Sequence, residues 1–275
     1  MAKFFIPTQD FSLAGKTIVV PVVSTANVSQ LAADLLIATL SLVRIGIFDS
    51  TFLVPALGAR EEGPGVSTPL ELYGKPGLDV VIVQQRSPAL KSQKHEFVAA
   101  LLDFVNTSGV TAALFLSGVD LSNRTDSQMM TPTYHLLPSG SPPSVLSSSP
   151  LARLLELPIP AYTSPVSQFP TLQNPETPPQ ATADEPQVPF IPGGSLTRRI
   201  FQALSSTSSS GAKSASKVAT AGILQFVLEG DNRADAALLA SAVVAVLGVQ
   251  VQGFKEPKSW KRGLFGAPPD SSLYD

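Results

Sequence analysis

The run KTIVVPVV at residues 16–23, followed by STANVSQLAADLLIATLSL at 24–42 and RIGIF at 44–48, decides the fold class. The first run is rich in β-branched residues and apolar on both of its faces, which suits a strand covered by helices on either side. In the second, Val28, Leu31, Leu35 and Leu36 recur at helical spacing. Asn27, with Gln30 three positions on, reads there as an N-cap and its capping box. The third run returns to strand character. A strand, a helix and a second strand in this order predict an α/β fold with a mainly parallel central sheet flanked by helices.

The pattern continues outward. Leu78–Gln84 (LDVVIVQ) reads as a buried strand, and Ser92–Thr107 as a helix whose Phe97, Leu101, Leu102 and Val105 share one face. Gly109 breaks that helix and Thr111–Leu116 (TAALFL) gives another strand; Phe52–Leu57 and Leu70–Tyr73 are short strand candidates. Further on, Lys217–Leu228 and Ala234–Leu247 read as two apolar helices covering the sheet. Gly230 is placed to end the first, and Asp231 or Asn232 to cap the second. Residues 1–137 and 190–266 are thus expected to form a single α/β domain. Residues 138–189, dominated by Pro, Ser, Thr and Gln, form a flexible insertion that cannot bury enough apolar surface to offset its ordering. Leu151–Leu157 is its one short apolar helix. Ser205–Ser216 reads as a smaller loop and residues 267–275 as a flexible tail.

Composition narrows the functions open to such a chain. Of 275 residues, 44% are hydrophobic and 15% charged, and Lys+Arg 19 against Asp+Glu 21 gives a formal net charge of -2. No basic run marks a surface for nucleic acid or anionic membrane. The longest apolar stretch, Ala236–Val249, is too short for a bilayer span. Asp10 and Lys16 interrupt the start before any secretory apolar core. With Cys 0, disulfides, thiol nucleophiles and thiolate metal sites are excluded, which suits a reducing compartment.

Catalytic readings fail on spacing. Ile191-Pro192-Gly193-Gly194-Ser195 could offer backbone donors to a phosphate but lacks the P-loop lysine. His95 and His135, the only histidines, belong to no metal-ligand cluster. Ser117-Gly118-Val119-Asp120 does not match a nucleophile elbow. Asp120, Arg124 and Asp126 follow a strand and could touch a sugar or nucleoside at the sheet's carboxyl edge. Glu229 and Asp231 could be paired carboxylates, but two acids beside Gly230 and Asn232 more often terminate and cap helices. No catalytic residue, cofactor or metal is therefore assigned.

Several blocks together carry a resemblance: residues 27–40 (NVSQLAADLLIATL), Ile45–Phe48, Val54-Pro55, Gln84–Ser87, Ile191–Gly194, Phe226–Asn232 and Ser259–Gly266. In this order they resemble the proteasome assembly chaperone 2 family, and the composition and long insertion look like those of fungal members. Ser195 stands where some relatives carry a third glycine. The resemblance implies a nucleoside-phosphorylase-like fold used without catalysis. It further implies a heterodimer with proteasome assembly chaperone 1 that binds 20S proteasome α subunits during α-ring formation. Residence would be cytoplasmic, with entry into the nucleus left open. Leu273-Tyr274-Asp275 fits the hydrophobic-tyrosine-any-residue tail by which proteasome activators and some assembly chaperones engage the α ring. Two other readings stand beside this one: a nucleoside- or sugar-acting enzyme centred on Asp120 and Glu229, and a scaffold whose Pro-rich insertion recruits peptide-binding modules.

Overall fold

The first strand and helix fall where their patterning puts them. In a computed structural model describing residues 3–61, 63–139, 143–165, 188–209 and 218–262, the strands are β1 (Phe5–Pro7), β2 (Thr17–Pro21), β3 (Val43–Phe48), β4 (Gly58–Ala59), β5 (Val66–Ser67), β6 (Leu70–Gly74), β7 (Val80–Gln85), β8 (Ala112–Asp120), β9 (Thr133–Leu136) and β10 (Ala219–Val227). The helices are α1 (Val28–Leu40), α2 (Lys94–Thr107), α3 (Pro143–Ser147), α4 (Ser195–Ser209) and α5 (Arg233–Leu247).

Eight strands form one sheet in the order β1-β3-β6-β7-β2-β8-β10-β9, with β4 and β5 a separate hairpin. Four consecutive strands, β7, β2, β8 and β10, are mutually parallel. The β1–β3, β3–β6, β6–β7 and β10–β9 pairings are antiparallel, so the sheet is mixed, with its parallel part at the centre. All five residues of β2 are buried. Ile18 and Val20 pack with Phe97 and Leu101 of α2 and Ile200 and Phe201 of α4. Val19 faces the opposite way, with Leu35 and Leu36 of α1 and Leu239 and Val243 of α5. Two helices thus cover each face, the arrangement that a strand apolar on both sides requires.

Five expectations need correction, four of them local. Lys217–Leu228 holds a strand and not a helix: β10 lies between β8 and β9 and pairs with β8 along its whole length, Ala219 opposite Ala112 to Val227 opposite Asp120. A central strand covered on both faces is a continuous apolar run without alternation, and helical spacing can be read into it. Ser205–Ser209, expected in a loop, completes α4, where Ser205 Oγ donates to the Phe201 carbonyl at 2.8 Å. Residues 210–217 lie outside the described residues. Phe52–Leu57 forms no strand beyond a single bridge between Leu53 and Ala89. Asn27 does stand at the N-cap of α1, but at φ 50° and without a side-chain cap bond; Gln30 meets Ser29 Oγ instead.

The largest correction concerns residues 143–165, which pack into the domain although they fall within the expected insertion. Leu146, Leu151 and Leu154 are buried with α5 and Trp260. Beyond them, His135 N donates to the Pro160 carbonyl (2.9 Å) and Tyr162 N to the His135 carbonyl (2.8 Å). This segment covers the outer edge of β9, as exposed edges require. Tyr162 also packs against Tyr134 and Phe226, and its hydroxyl donates to the Phe190 carbonyl at 3.0 Å. Residues 166–187 lie outside the described residues.

Candidate functional site

Parallel α/β sheets present ligands at the carboxyl ends of their strands, and in this chain that edge is closed by its own loops. Beyond β2, Val22 O accepts from Ser24 Oγ (2.9 Å) and Ser29 Oγ (2.7 Å), while Ser24 Oγ accepts from Gly118 N at 2.8 Å. Ala26 and Asn27 both sit at positive φ, turning the chain sharply into α1. Ala26 N donates to Glu229 Oε1 at 3.0 Å. The Ile191–Ser195 turn closes by Gly194 N donating to Ile191 O (3.0 Å) and is joined to β8 by Asp120 N donating to Pro192 O (3.0 Å). Gly193, at φ +72°, leaves no room for a methyl group against Thr25 Oγ1, and Gly118 leaves none against the Thr25 carbonyl. The crevice between β2 and β8 is therefore filled by main chain in contact.

The residues singled out as acids, bases or nucleophiles serve this packing. Ser117 is buried and its hydroxyl lies 2.7 Å from Thr197 Oγ1. The Asp120 carboxylate accepts from Ser122 N at 2.8 Å, and that backbone bond holds its pKa below the usual carboxylate range. Arg124 is committed to the carbonyls of Gln128 (2.6 Å) and Thr131 (2.9 Å) and to the Phe226 ring, and Asp126 opens a short 3-10 turn. Glu229 binds Ala26 N, whereas Asp231 pairs with Arg233. The two carboxylates do not converge on a common point. His95 is exposed on α2, and His135 Nδ1 meets the Ile159 carbonyl at 2.6 Å. Among the described residues no three His, Cys, Asp or Glu side chains could share a metal ion. At this edge a cavity of about 200 Å³ is bordered by Asn27, Gln30, Gln85 and Arg86.

A larger concavity, of about 400 Å³, shares Arg86 with that cavity and extends between the C-terminal half of α1, the start of β3, Arg60, Glu61 and Gly63, and residues 255–258. Its floor is a buried polar network. The Glu71 side chain, fully buried, accepts from Arg44 Nη1 (2.7 Å), Thr68 N (3.0 Å) and the Tyr73 hydroxyl (2.6 Å). Burial, reinforced by Glu71, pushes the Tyr73 pKa well above its ordinary value. Alongside, Asp34 pairs with Arg86 at 2.9 Å and accepts from Gln84 Nε2 at 2.6 Å. Burial opposes the charge on Arg86, but Asp34 outweighs it and holds the pKa above the ordinary arginine value. The rim carries the exposed Lys255, Glu256 and Lys258, with Arg60 and Glu61 opposite, and Glu61 Oε2 accepts from Ser259 N at 3.1 Å. Sequence reasoning missed this site. Its one signal was a charged residue, Glu71, between two leucines in a strand, where an inward-facing acid demands partners. Leu273, Tyr274 and Asp275, the expected proteasome-binding tail, lie outside the described residues.

Comparison with known proteins follows the same lines. The solved structure of Pyrococcus furiosus PbaA, an archaeal homolog of proteasome-assembly chaperone, matches 90% of this chain and 88% of its own with a TM-score of 0.60 at 15% sequence identity, a likeness of fold. Proteasome assembly chaperone 2 of Homo sapiens is 31% identical over 290 residues, covering 98% of this chain and 100% of that protein. Its Danio rerio counterpart is 30% identical over 274 residues, covering 94% and 95%. A family model described as the PAC2 family matches residues 18–243. That span runs from β2 into α5, taking in the whole parallel centre of the sheet and the closed carboxyl edge, and on it the chain belongs to the PAC2 family.

Proposed function

We propose that this chain is a non-catalytic chaperone of 20S proteasome assembly that acts at the α ring. It works there as a heterodimer with proteasome assembly chaperone 1 and attaches in part through Leu273-Tyr274-Asp275. The observation that carries the reading is its end-to-end likeness to the human protein named Proteasome assembly chaperone 2. A likeness without large unmatched stretches on either side favours a shared role over a borrowed domain. The filled crevice between β2 and β8 supports the non-catalytic part, because Asp120 and Glu229, the residues an enzyme reading would use, are held by main-chain N–H groups. A tail of this pattern would insert Leu273 and Tyr274 into a preformed cleft of the α ring. The same reading places the protein in the cytoplasm, with nuclear entry left open.

The test is binding of matched heterodimers to purified 20S proteasome. Wild type, Tyr274→Ala, a deletion of residues 273–275 and a form extended beyond Asp275 are compared. The altered tails should bind more weakly while the heterodimer remains intact. The loss is partial where the partner chaperone supplies a second attachment. Unchanged affinity across the series removes the tail from the mechanism. Failure of the chain to co-purify with both the partner chaperone and α subunits removes the assignment itself.

A further inference from the structure

The cleft of about 400 Å³ beside α1 is formed partly by the chain's own C-terminal stretch, residues 255–258. That stretch is pinned: Lys255 N donates to Thr39 Oγ1 (2.9 Å), Ser259 N to Glu61 Oε2 (3.1 Å), and Trp260 is buried in the α1/α5 core. The chain thus leaves the described domain at Arg262, four positions past the rim residue Lys258. Thirteen residues follow, GLFGAPPDSSLYD, with two apolar pairs, Leu264-Phe265 and Leu273-Tyr274, two acids, Asp270 and Asp275, and no Lys or Arg.

The cleft is the complement of that composition. Ile37, Leu42 and Val43 give it an aliphatic side, and Val43 is 49% exposed although it lies in a strand. The floor cations Arg44 and Arg86 are already paired to Glu71 and Asp34. The rim cations Arg60, Lys255 and Lys258 have no ion pair among the described residues, and they outnumber the described rim carboxylates, Glu61 and Glu256, three to two; Glu61 also accepts from Ser259 N. An apolar trough with spare positive charge at its lip suits an acidic, hydrophobic segment. A tether this short keeps such a segment at an effective concentration near millimolar, so a weak intrinsic affinity suffices for occupancy.

We propose that this cleft is a docking site for the chain's own residues 263–275, with the acids at the Lys255/Lys258 lip and an apolar pair against Val43. The docked tail is held in reserve and must leave the cleft before its side chains can meet any other surface. The inference does not depend on proteasome binding, and its test contains no proteasome, so the two readings fail separately.

Because the chain has no cysteine, Ser271→Cys gives a single attachment point for a nitroxide in the full-length protein. The expected result is paramagnetic loss of the amide signals of Ile37, Val43 and Lys255, with amides of β9 and α4 unaffected. The loss should be reversed by K255E/K258E, by high salt, and by excess unlabelled peptide of residues 263–275. Retention of native sheet signals in the charge-reversed protein separates release of the tail from unfolding. Unattenuated cleft signals in the labelled wild type overturn the proposal. So does attenuation that survives K255E/K258E. Attenuation of some other surface, or displacement of the labelled tail only by a peptide of scrambled sequence, also overturns it.

Discussion

Leu154→Ala tests whether residues 143–165 are part of the domain or a decoration on it. Leu154 is 0% exposed and belongs to the core formed by α1, α5 and Trp260. Truncating a leucine so placed removes its transfer free energy and leaves a cavity, together costing about 3 kcal/mol. For a chain of this size that lowers Tm by about 6–12 °C. With a urea m value of about 2–3 kcal/mol/M, the midpoint falls by roughly 1–1.5 M. Trp260, the only tryptophan, sits in the same core at 4% exposure, so its fluorescence reports the transition directly. Leu155→Ala is the matched control, since Leu155 is 45% exposed, and should cost less than about 1 kcal/mol. If 143–165 were only loosely attached, the segment would detach by itself and the loss would stop at its small docking energy. A Leu154→Ala midpoint equal to that of Leu155→Ala, with the Trp260 transition unmoved, refutes the assignment of this segment to the core.

Other consequences are as direct. Gly193→Ala places a methyl group against Thr25 at a positive φ and should cost about 2–4 kcal/mol from backbone strain and overpacking, read as a fall in the urea midpoint. Glu71→Gln leaves Arg44 without its charge partner and should destabilise by about 2–3 kcal/mol, less than a fully buried pair because the Arg44 side chain is 20% exposed; chemical denaturation measures it. Burial raises the Tyr73 and Tyr162 pKa values in the folded state. The unfolded chain therefore loses those protons first above about pH 10, and stability falls as pH rises from there; Tyr73→Phe should flatten that decline in alkaline unfolding curves. Replacing residues 166–187 with a Gly-Ser linker of equal length should change stability by less than about 1 kcal/mol, whereas removing 143–165 should abolish cooperative unfolding.

The fold class was legible because β2, α1, β7, α2 and β8 each carry an undivided signal: β-branched runs for the strands, one apolar stripe for each helix. The misread elements carry mixed ones. In β10, Ile223 faces one helical layer and Leu224 the other, so alternation disappears just where the strand is most deeply buried. In α4 the stripe Leu196, Ile200, Phe201 and Leu204 was present, but the serines after it drew the reading toward a loop; hydroxyls that bond back to the preceding turn make such serines compatible with a helix. Residues 143–165 are as apolar as the chain at large, but Pro and Ser break the run so that no period shows, and Leu146, Leu151, Leu154 and Tyr162 fill particular places, which average composition cannot express. The polar floor beneath the cleft is built from Asp34 on α1, Arg44 on β3, Glu71 on β6 and Arg86 just after β7. Only the strand order brings them together, and no local pattern announces that.

The position of β10 also has a consequence in time. It lies between β8 and β9 in the sheet yet is synthesised after both, with the whole stretch from Leu137 to Val218 intervening. At ordinary translation rates of about 5–20 residues per second, that interval lasts roughly 4–16 s. Throughout it, the backbone of β8 that will later bond β10 has no partner in the sheet, and β9 has no sheet neighbour to join. A nascent chain halted before Ala219 cannot complete the parallel centre, however well its first half has folded. The emerging protein is thus itself in need of shielding during its own birth, and about the last fifth of the message decides whether the rest is kept.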